Sequence, residues 1–582
     1  NTGTVNNFGT LTAVTNDLSL TAATVNNNAG GTLQALAANV ALQSNAGLLT
    51  VNMGNGSAIN AAAAGADITF NATTAGQIAI NNAGRGSINA NDLVLLNGGA
   101  NAVSVDVNNI NGCVSGNGTT FAVAVDTGNL NIGNVGTTSV TTFTNTETAV
   151  GAGNIAMCAG CSITSAGPGG NVGLTAGTNG SVTVGGNGIS TTGSVTLAAG
   201  ANDGNVTINA GVSGGGNVSL LTGANGSIGL NANTTSTGGT LTLTGGSAVG
   251  ESVTIASGVQ ASAPGGVTVN SPVVNLNGTA SISSTGGNVL VQSNGAGFGL
   301  AVSMGAGSAI SSNTGMVSFN TVNPGAINIG GPGTGLISAA TVVQLYGGPG
   351  AVNTNVNQII GCIDVNGSAV KLATVTGNLD FCCAAPINTS NAGGNGGAVS
   401  ITATGGGINN LPDINTSGAG AGNSAGNVTL TAGANNVSVG NVVANGTGGA
   451  NGGTVTITAP GTITAPTIQA SSDSGIGGNV NLTSSTLQLT NVLGSGASID
   501  VSSPLGTGGR VAVITTSTNT LRIGPTAGVN QITGGIDASG TNGGRIDITT
   551  TALPFLPNVF VDPGQILSSN ATTGIGGKIQ FR

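Results

Sequence analysis

The chain has 582 residues, of which only 4% are charged and 2% aromatic, and its formal net charge is -9. It contains no His, which excludes Ser-His-Asp and Cys-His catalysis and also His-ligated zinc. Its 7 basic residues are too few to neutralise a track of phosphates, so we expect no nucleic-acid partner. The 107 glycines do not recur at every third position, and this excludes a collagen triple helix.

The cysteine content and the low number of charges indicate where the protein functions. The chain begins at Asn1 within a repetitive pattern, so we expect a processed form or a segment of a longer chain. No apolar run approaches the roughly 20 residues of a membrane span, and we expect none. The 6 cysteines suit disulfides in an oxidising compartment, and so few charges favour a protein that associates outside the cell. We therefore predict an extracellular location.

Residues 172–256 carry a short repeat in which a Gly-containing turn precedes two apolar residues separated by one small residue. One series of these units starts at Val172, Val195, Val218 and Leu241. An interleaved series starts at Val182, Val206, Ile228 and Val253. Alternation with a period of two residues is typical of a strand with one buried face. Each period of about 23 residues therefore contains two detectable strands.

This strand pattern predicts an all-β fold. Short strands that recur every 20 to 50 residues without helices indicate a solenoid or a propeller. Propeller blades need about 40 residues and usually aromatic anchors, which this chain lacks. We therefore predict an elongated parallel β-helix (β-solenoid) of about 20 to 25 coils. Glycines are expected at corners with positive φ, and stacked Asn side chains are expected to form ladders between coils.

Toward the C-terminus the same unit recurs at longer intervals, of about 25 to 35 residues. Its starts are Val399, Val428, Val455, Val480, Val511, Ile546 and Ile579. The strand and its turn persist while the loops lengthen, so the coils are expected to continue.

A tandem duplication covers a large part of the chain. Residues 93–132 align without gaps to residues 342–381, at an offset of 249 (342 − 93). Residues 133–156 look like one extra coil in the first copy, because Cys158 matches Cys382 only at an offset of 224 (382 − 158). We predict three regions: a first solenoid module at 1–250, a second at 251–500, and variant C-terminal coils at 501–582.

The variant C-terminal region holds five of the seven basic residues: Arg510, Arg522, Arg545, Lys578 and Arg582. It also contains the bulkier segment LPFLPNVFVDPG at 553–564. Prolines and large side chains indicate a broken coil, a cap or a contact surface. Ordinary sequence drift in a long array explains these features equally well.

The cysteines are the candidate site residues, as partners in structural disulfides: Cys113, Cys158, Cys161, Cys362, Cys382 and Cys383. Cys158 and Cys161 form a CxxC, which elsewhere indicates redox chemistry or zinc. Here no helix or basic neighbour would lower a thiol pKa, and the other possible zinc ligands lie many coils away. Structural disulfides are favoured, while intermolecular cross-links and a metal site are the alternatives. We expect neither a metal nor any other cofactor.

The spacing of the cysteines distinguishes two possible pairs. Cys362 and Cys382 are 20 residues apart (382 − 362), close to one coil, so stacking would bring them within disulfide reach. Cys113 and Cys158 are 45 residues apart (158 − 113), nearer two coils, and are not expected to pair.

Acidic residues are too scattered to indicate an active site. The nearest approach to a carboxylate pair is Asp537 and Asp547, beside Arg545. A general acid and base there is an alternative, but solvated corner residues are favoured. We expect no catalytic residues and no enzyme activity.

Three C-terminal segments resemble a known family. They are TITAPTIQASSDSGIGGNVNLTSSTLQL at 462–489, GASIDVSSPLGTGGRVAV at 496–513 and GGIDASGTNGGRIDI at 534–548. These segments resemble the coils of filamentous-haemagglutinin-like exoproteins, and the resemblance is best over 399–582. It implies a large bacterial surface adhesin with a right-handed parallel β-helix.

The leading prediction is thus a secreted, non-catalytic structural and adhesive fibre of a bacterial cell surface. Its stiff coils would present repeated contact surfaces or stack end to end. Expected partners are further copies of the chain, head to tail or lateral, and a host or neighbouring-cell surface or glycan. One alternative is a self-assembling subunit of an extracellular filament, sheath or surface layer. A lower alternative is a carbohydrate-active β-helix enzyme.

Overall fold

The computed structural model describes residues 3–72, 76–81, 85–149, 151–295, 298–321, 325–331, 334–382, 385–490, 496–551 and 558–582. Every regular element within these residues is a β-strand, and the strands pair in parallel from coil to coil. The predicted all-β, parallel β-helix fold is therefore confirmed. The chain divides into two compact units, residues 1–295 and 296–582. The predicted modules are a division of the sequence repeat, and their boundaries stay predictions.

The first unit contains three columns of strands. The first column consists of Thr4–Asn7, Thr24–Asn27, Leu48–Met53, Gln77–Asn81, Val103–Val107, Phe121–Val125, Thr141–Asn145, Val172–Thr175, Val195–Ala198, Val218–Leu221, Leu241–Thr244, Val267–Asn270 and Val289–Ser293. Each strand pairs with the next one along the column, so backbone donors and acceptors are satisfied between coils.

Shorter strands form the other two columns of this unit. The second column has Thr10–Ala13, Thr32–Ala35, Ala58–Ala61, Ile155–Met157, Val182–Val184, Val206–Ile208, Ile228–Leu230, Ser252–Ile255 and Val273–Leu276. The third has Leu18–Thr21, Val40–Ser44, Ile68–Ala72, Ser162–Ser165, Gly188–Thr191, Val212–Gly214, Thr234–Ser236, Gln260–Ala263 and Ser281–Ser284. Three longer strands run across both columns, namely Ser87–Asn97, Asn109–Gly118 and Leu130–Thr137.

The second unit is built in the same way. Its principal column consists of Leu300–Met304, Ile327–Ile329, Val352–Val356, Val370–Thr374, Val399–Ala403, Val428–Ala432, Thr454–Thr458, Asn479–Ser484, Arg510–Thr515, Arg545–Thr550 and Lys578–Phe581. Beside it lie Ala309–Ser312, Val317–Thr321, Leu336–Tyr346 and Gln358–Asn366. The long strand Leu336–Tyr346 repeats Ser87–Asn97 at the offset of the sequence duplication.

Three sets of short strands complete the later coils of the second unit. One sheet contains Leu379–Asp380, Ile408–Leu411, Val437–Val439, Thr462–Ala465, Thr486–Leu489, Leu521–Ile523, Gln531–Ile532 and Val559–Val561. Another contains Ile387–Asn388, Ile414–Asn415, Val442–Val443, Ile468–Gln469, Ala497–Asp500, Gly535–Asp537 and Leu567–Ser568. Two isolated pairs are Gly418–Ala419 with Gly446–Thr447, and Ser503–Thr507 with Gly540–Asn542.

The predicted strand series stack in register. In the first unit Val195 pairs with Val218, which pairs with Leu241, and all three are at most 1% exposed. In the second unit the C-terminal series pairs residue by residue from Val399 to Ile579. Because apolar residues stack on apolar residues of the same register, the alternation fixes which face of each strand is buried.

Glycine has two roles in the coils. Gly56 and Gly258 lie at turns with positive φ, as expected. The Gly-Gly pairs that precede the C-terminal strands do not have positive φ. The expectation that glycines lie at corners with positive φ is therefore wrong for these pairs. A Cβ at Gly509 would collide with the carbonyl oxygen of Gly478 in the preceding coil. Glycine is required there because successive backbones approach too closely for a side chain.

The expected Asn ladders are present. The amide of Asn26 donates to Asn6 at 2.6 Å, and Asn52 donates to Asn26 at 2.7 Å. These bonds join the outward side chains of successive coils, so they reinforce the backbone pairing.

Candidate functional site

The cysteines of the first unit form one disulfide. Cys113, in Asn109–Gly118, is bonded to Cys158, with their Cα atoms 6.4 Å apart. The prediction that these two residues would not pair is therefore wrong. They flank the intervening strand Leu130–Thr137, since Cys113 pairs with Asn131 and the Cys158 amide donates to the Ile132 carbonyl at 2.8 Å.

Local irregularity explains why the two cysteines meet. Regular stacking would separate residues two coils apart by roughly 9.6 Å, beyond disulfide reach. The ladder beside Cys113 has a bulge between Val114 and Gly116, and Cys158 lies past the end of its strand. Coil counting alone does not detect such a bulge.

The second disulfide was predicted correctly. Cys362 is bonded to Cys382, with Cα atoms 5.4 Å apart. Cys161 is a free, buried thiol, so the CxxC does not form its own disulfide here. Burial raises the pKa of the Cys161 thiol, which keeps it protonated and unreactive. Cys383, the remaining predicted disulfide partner, lies outside the described residues.

Three of the C-terminal basic residues stack in one column. Arg510 pairs in register with Arg545, and Arg545 pairs with Lys578. They precede the inward residues of the C-terminal series, so their side chains project outward. We name Arg510, Arg545 and Lys578 the basic column. Each of these residues immediately follows a Gly-Gly pair, which is a signal present in the sequence, but the column itself was not predicted.

One carboxylate forms ion pairs with two of these cations. Asp547 contacts Arg545 at 2.7 Å and Arg510 at 3.1 Å. Partial burial raises the pKa of Asp547, but hydrogen bonds and attraction from both arginines outweigh this and hold it below its usual range. Lys578 is exposed and forms no ion pair within the described part of the chain. The column therefore keeps an excess of positive charge.

A shallow, open groove runs along the basic column. It has a volume of about 410 Å³, and its wall includes Arg510, Arg545 and Lys578. Its floor, which we name the glycine floor, consists of Gly477, Gly508, Gly509, Gly543, Gly544, Gly576 and Gly577. A smaller groove of about 200 Å³ lies on the other side of the arginines and includes Arg582. The basic side chains are therefore accessible from two directions.

Arg522 lies outside the basic column and makes different contacts. Its guanidinium lies 3.6 Å from Asp562 and 4.9 Å from the centroid of the Phe560 ring. Hydrogen bonds from Thr526, together with attraction to Arg522, lower the pKa of Asp562. These contacts hold the strand Val559–Val561 against Leu521–Ile523, so Arg522 has a structural role. The predicted contact segment at 553–564 is described only from residue 558, and its role stays a prediction.

The two carboxylates considered as an acid and base lie in different sheets. Asp547 belongs to Arg545–Thr550 of the principal column, whereas Asp537 ends Gly535–Asp537 in a separate sheet. Asp537 accepts a hydrogen bond from the Ser539 amide at 2.9 Å. Within the described ranges no three His, Cys, Asp or Glu side chains are grouped so as to hold a metal ion.

Comparison of the chain with family models, with curated proteins and with solved structures gives no match. No helix in the described part of the chain is long and apolar enough to cross a bilayer. The resemblance to filamentous-haemagglutinin-like exoproteins accordingly stays a prediction.

Proposed function

We propose that this chain is a secreted, non-catalytic structural and adhesive protein of a bacterial cell surface. One observation carries the proposal: strands of successive coils pair in register over long runs, as they do from Val399 to Ile579. Continuous backbone pairing makes a coil stack stiff, and each coil contacts only its neighbours. Such a stack suits a scaffold that holds weak contact surfaces at a fixed spacing.

Three carboxylates are poorly suited to act as general acids. A general acid needs a raised pKa, whereas the pKa values of Asp547 and Asp562 are lowered by their partners. The pKa of Asp473 is lowered as well, chiefly by the backbone N–H groups of Gly448 and Gly449. These groups stay ionised and act as structural acceptors.

The disulfides support an extracellular location. Cys113–Cys158 and Cys362–Cys382 are typical of proteins that fold in an oxidising compartment. Both bonds lie within one chain, so they would brace individual subunits.

Negative-stain electron microscopy of the full chain, with and without reductant, tests the proposal. We expect separate rods of constant width that persist after reduction, since both disulfides are internal. Long filaments would favour the alternative of a self-assembling filament or surface-layer subunit, and their loss under reductant would place cysteines between subunits. Compact globules would contradict a fibre function. Binding of the immobilised chain to bacterial and host cells then tests the adhesive part.

A further inference from the structure

The basic column concentrates positive charge in an otherwise acidic chain. It places three of the 7 basic residues in adjacent coils of a protein with a net charge of -9. Like charges that stand directly opposite each other on neighbouring strands destabilise a sheet. Asp547 offsets this repulsion for Arg510 and Arg545 only. The remaining positive charge has no structural use that the described residues reveal.

We propose that the basic column and the glycine floor bind a linear polysaccharide that carries carboxylates, such as a polyuronate. The cations repeat at the coil spacing of roughly 4.8 Å along one line. A polyuronate carries one carboxylate on each sugar ring, so a chain that lies along the column can bring several carboxylates to the three cations. Arginine is well suited to carboxylates because its planar guanidinium donates two parallel hydrogen bonds.

The shape of the groove fits an extended chain rather than a small anion. The side chains of Arg510 and Arg545 are 51% and 43% exposed, so no single enclosed pocket surrounds one charge. The glycine floor lacks side chains because a Cβ at Gly544 or Gly577 would collide with the preceding coil. Gly543, Gly576 and Gly577 are the accessible glycines of the floor. A polymer can lie against the backbone there while its carboxylates reach the cations.

The register shows where the site begins. Asn479 stands opposite Arg510, and Thr454 stands opposite Asn479, so the same column is neutral in the preceding coils. The change from neutral to basic residues occurs without any change in strand register. It follows that the positive charge is not needed to form the coil.

A nucleic acid fits the groove less well. Non-specific single-strand binding uses aromatic side chains on which bases stack, and no residue that lines the groove is aromatic.

This inference rests on the proposed function in one respect, namely that contacts are made on the outside of the coils. It adds the chemical class of one ligand. The proposed function and the ligand inference are tested separately, because electron microscopy reports the shape of the coil stack whether or not the polymer binds.

Binding of fluorescent polygalacturonate to the full chain at low salt tests the proposal, with neutral dextran and oligo-dT as reference polymers. We expect binding to polygalacturonate only. The combined variant Arg510→Gln, Arg545→Gln and Lys578→Gln should lose about ten- to thirtyfold in affinity, because three exposed ionic contacts are removed. The slope of log affinity against log salt should fall from about -2 toward zero.

Two further variants separate charge recognition from misfolding. Lys371→Gln removes one exposed cation far from the column in sequence and should leave binding unchanged. Asp547→Asn releases both arginines and should raise affinity a few-fold, a gain that unfolding cannot produce. The proposal is overturned if the triple variant binds like the wild type, if Lys371→Gln loses as much affinity, or if dextran or oligo-dT binds equally well. Should the triple variant not fold, Lys578→Gln and Asp547→Asn still decide the question by opposite shifts.

Discussion

Cys113 and Cys362 lie at equivalent positions of the internal duplication, 249 residues apart (362 − 113), and each is bonded to a cysteine further along the chain. The first bond closes a separation of 45 residues and the second one of 20. The difference of 25 residues (45 − 20) is about the length of the segment 133–156, which includes the strand Thr141–Asn145. The cross-link therefore occurs in both copies although one copy has an extra coil inside it.

Removal of either disulfide should destabilise the fold, and the first should matter more. In the chain-entropy model, cross-links of this size stabilise by about 3 to 4 kcal/mol, and the longer loop gains about 0.7 kcal/mol over the shorter one. Urea unfolding of Cys113→Ser/Cys158→Ser and of Cys362→Ser/Cys382→Ser, followed by circular dichroism, measures the difference. A larger loss for the second pair would show that local strain, not loop length, controls the effect.

The free thiol of Cys161 should be inert in the folded protein. It is 8% exposed, and burial raises its pKa, so little nucleophilic thiolate forms near neutral pH. Iodoacetamide should modify Cys161 slowly in buffer and rapidly in 6 M guanidinium. Mass spectrometry of a short thermolysin peptide that contains Cys161 measures this, because trypsin cannot cleave between Arg85 and Lys371. Rapid native modification would contradict the buried position. Cys161→Ala also serves as a control for the disulfide variants, because it removes a cysteine without removing a cross-link.

Gly509→Ala should be far more damaging than Gly229→Ala. A Cβ at Gly509 would collide with the backbone of Gly477 and Gly478, whereas a Cβ at Gly229 meets nothing within 4 Å. Gly509→Ala should therefore lower the free energy of unfolding by about 1 to 3 kcal/mol or more, as overpacking does. Gly229→Ala should be neutral or stabilise by about 0.4 to 1 kcal/mol, because alanine restricts the unfolded chain. Thermal unfolding of both variants checks the difference, and equal Tm values would contradict the close approach of the coils.

Substitutions on the two faces of one strand should differ in their effect on stability. Leu220 is fully buried between Leu197 and Leu243, so Leu220→Ala should cost about 2 to 5 kcal/mol. The neighbouring Ser219 is only partly buried, and Ser219→Ala should change stability by no more than about 0.5 kcal/mol. Urea unfolding of the two variants provides the comparison. Similar losses would show that the alternation does not define the core.

The strand series were predictable because apolar residues alternate where they stack. Val195, Val218 and Leu241 carry that signal, and the structure pairs them in register. One strand of the third column in the first unit, Thr234–Ser236, was missed because its inward side chains are polar. Thr234 and Ser236 are 0% and 1% exposed, yet neither is apolar. A pattern search based on hydrophobic residues cannot detect such a strand.

The contacts between distant coils were less predictable. The Cys113–Cys158 bond depends on a bulge that the sequence spacing does not encode. The basic column depends on the register of strands separated by more than thirty residues, such as those of Arg510 and Arg545. Once the apolar series is aligned, the residue before each apolar position follows directly. The basic column could therefore have been predicted from the sequence by aligning the apolar series and comparing the residues that precede it.

Stability should depend on pH through Asp547. Its folded pKa is lowered, although partial burial opposes this, because Arg545 and Arg510 stabilise the carboxylate. A lowered folded pKa contributes stability that is present above the unfolded value of about 3.9 and is lost as pH falls through the folded value. The wild type should therefore melt at a higher temperature than Asp547→Asn at pH 7. This difference should shrink as the pH is lowered from about 4 toward 2, because the protonated carboxyl no longer attracts the arginines.

The arginine variants provide the control for this pH effect. In an Arg510→Gln/Arg545→Gln background, Asp547→Asn should no longer lower the Tm at pH 7, since the attraction is already absent. Thermal unfolding at pH 7, 4 and 2.5 across the four variants of this cycle measures the coupling. A Tm difference between wild type and Asp547→Asn that is the same at every pH would show that packing around Asp547, not its charge, stabilises these coils.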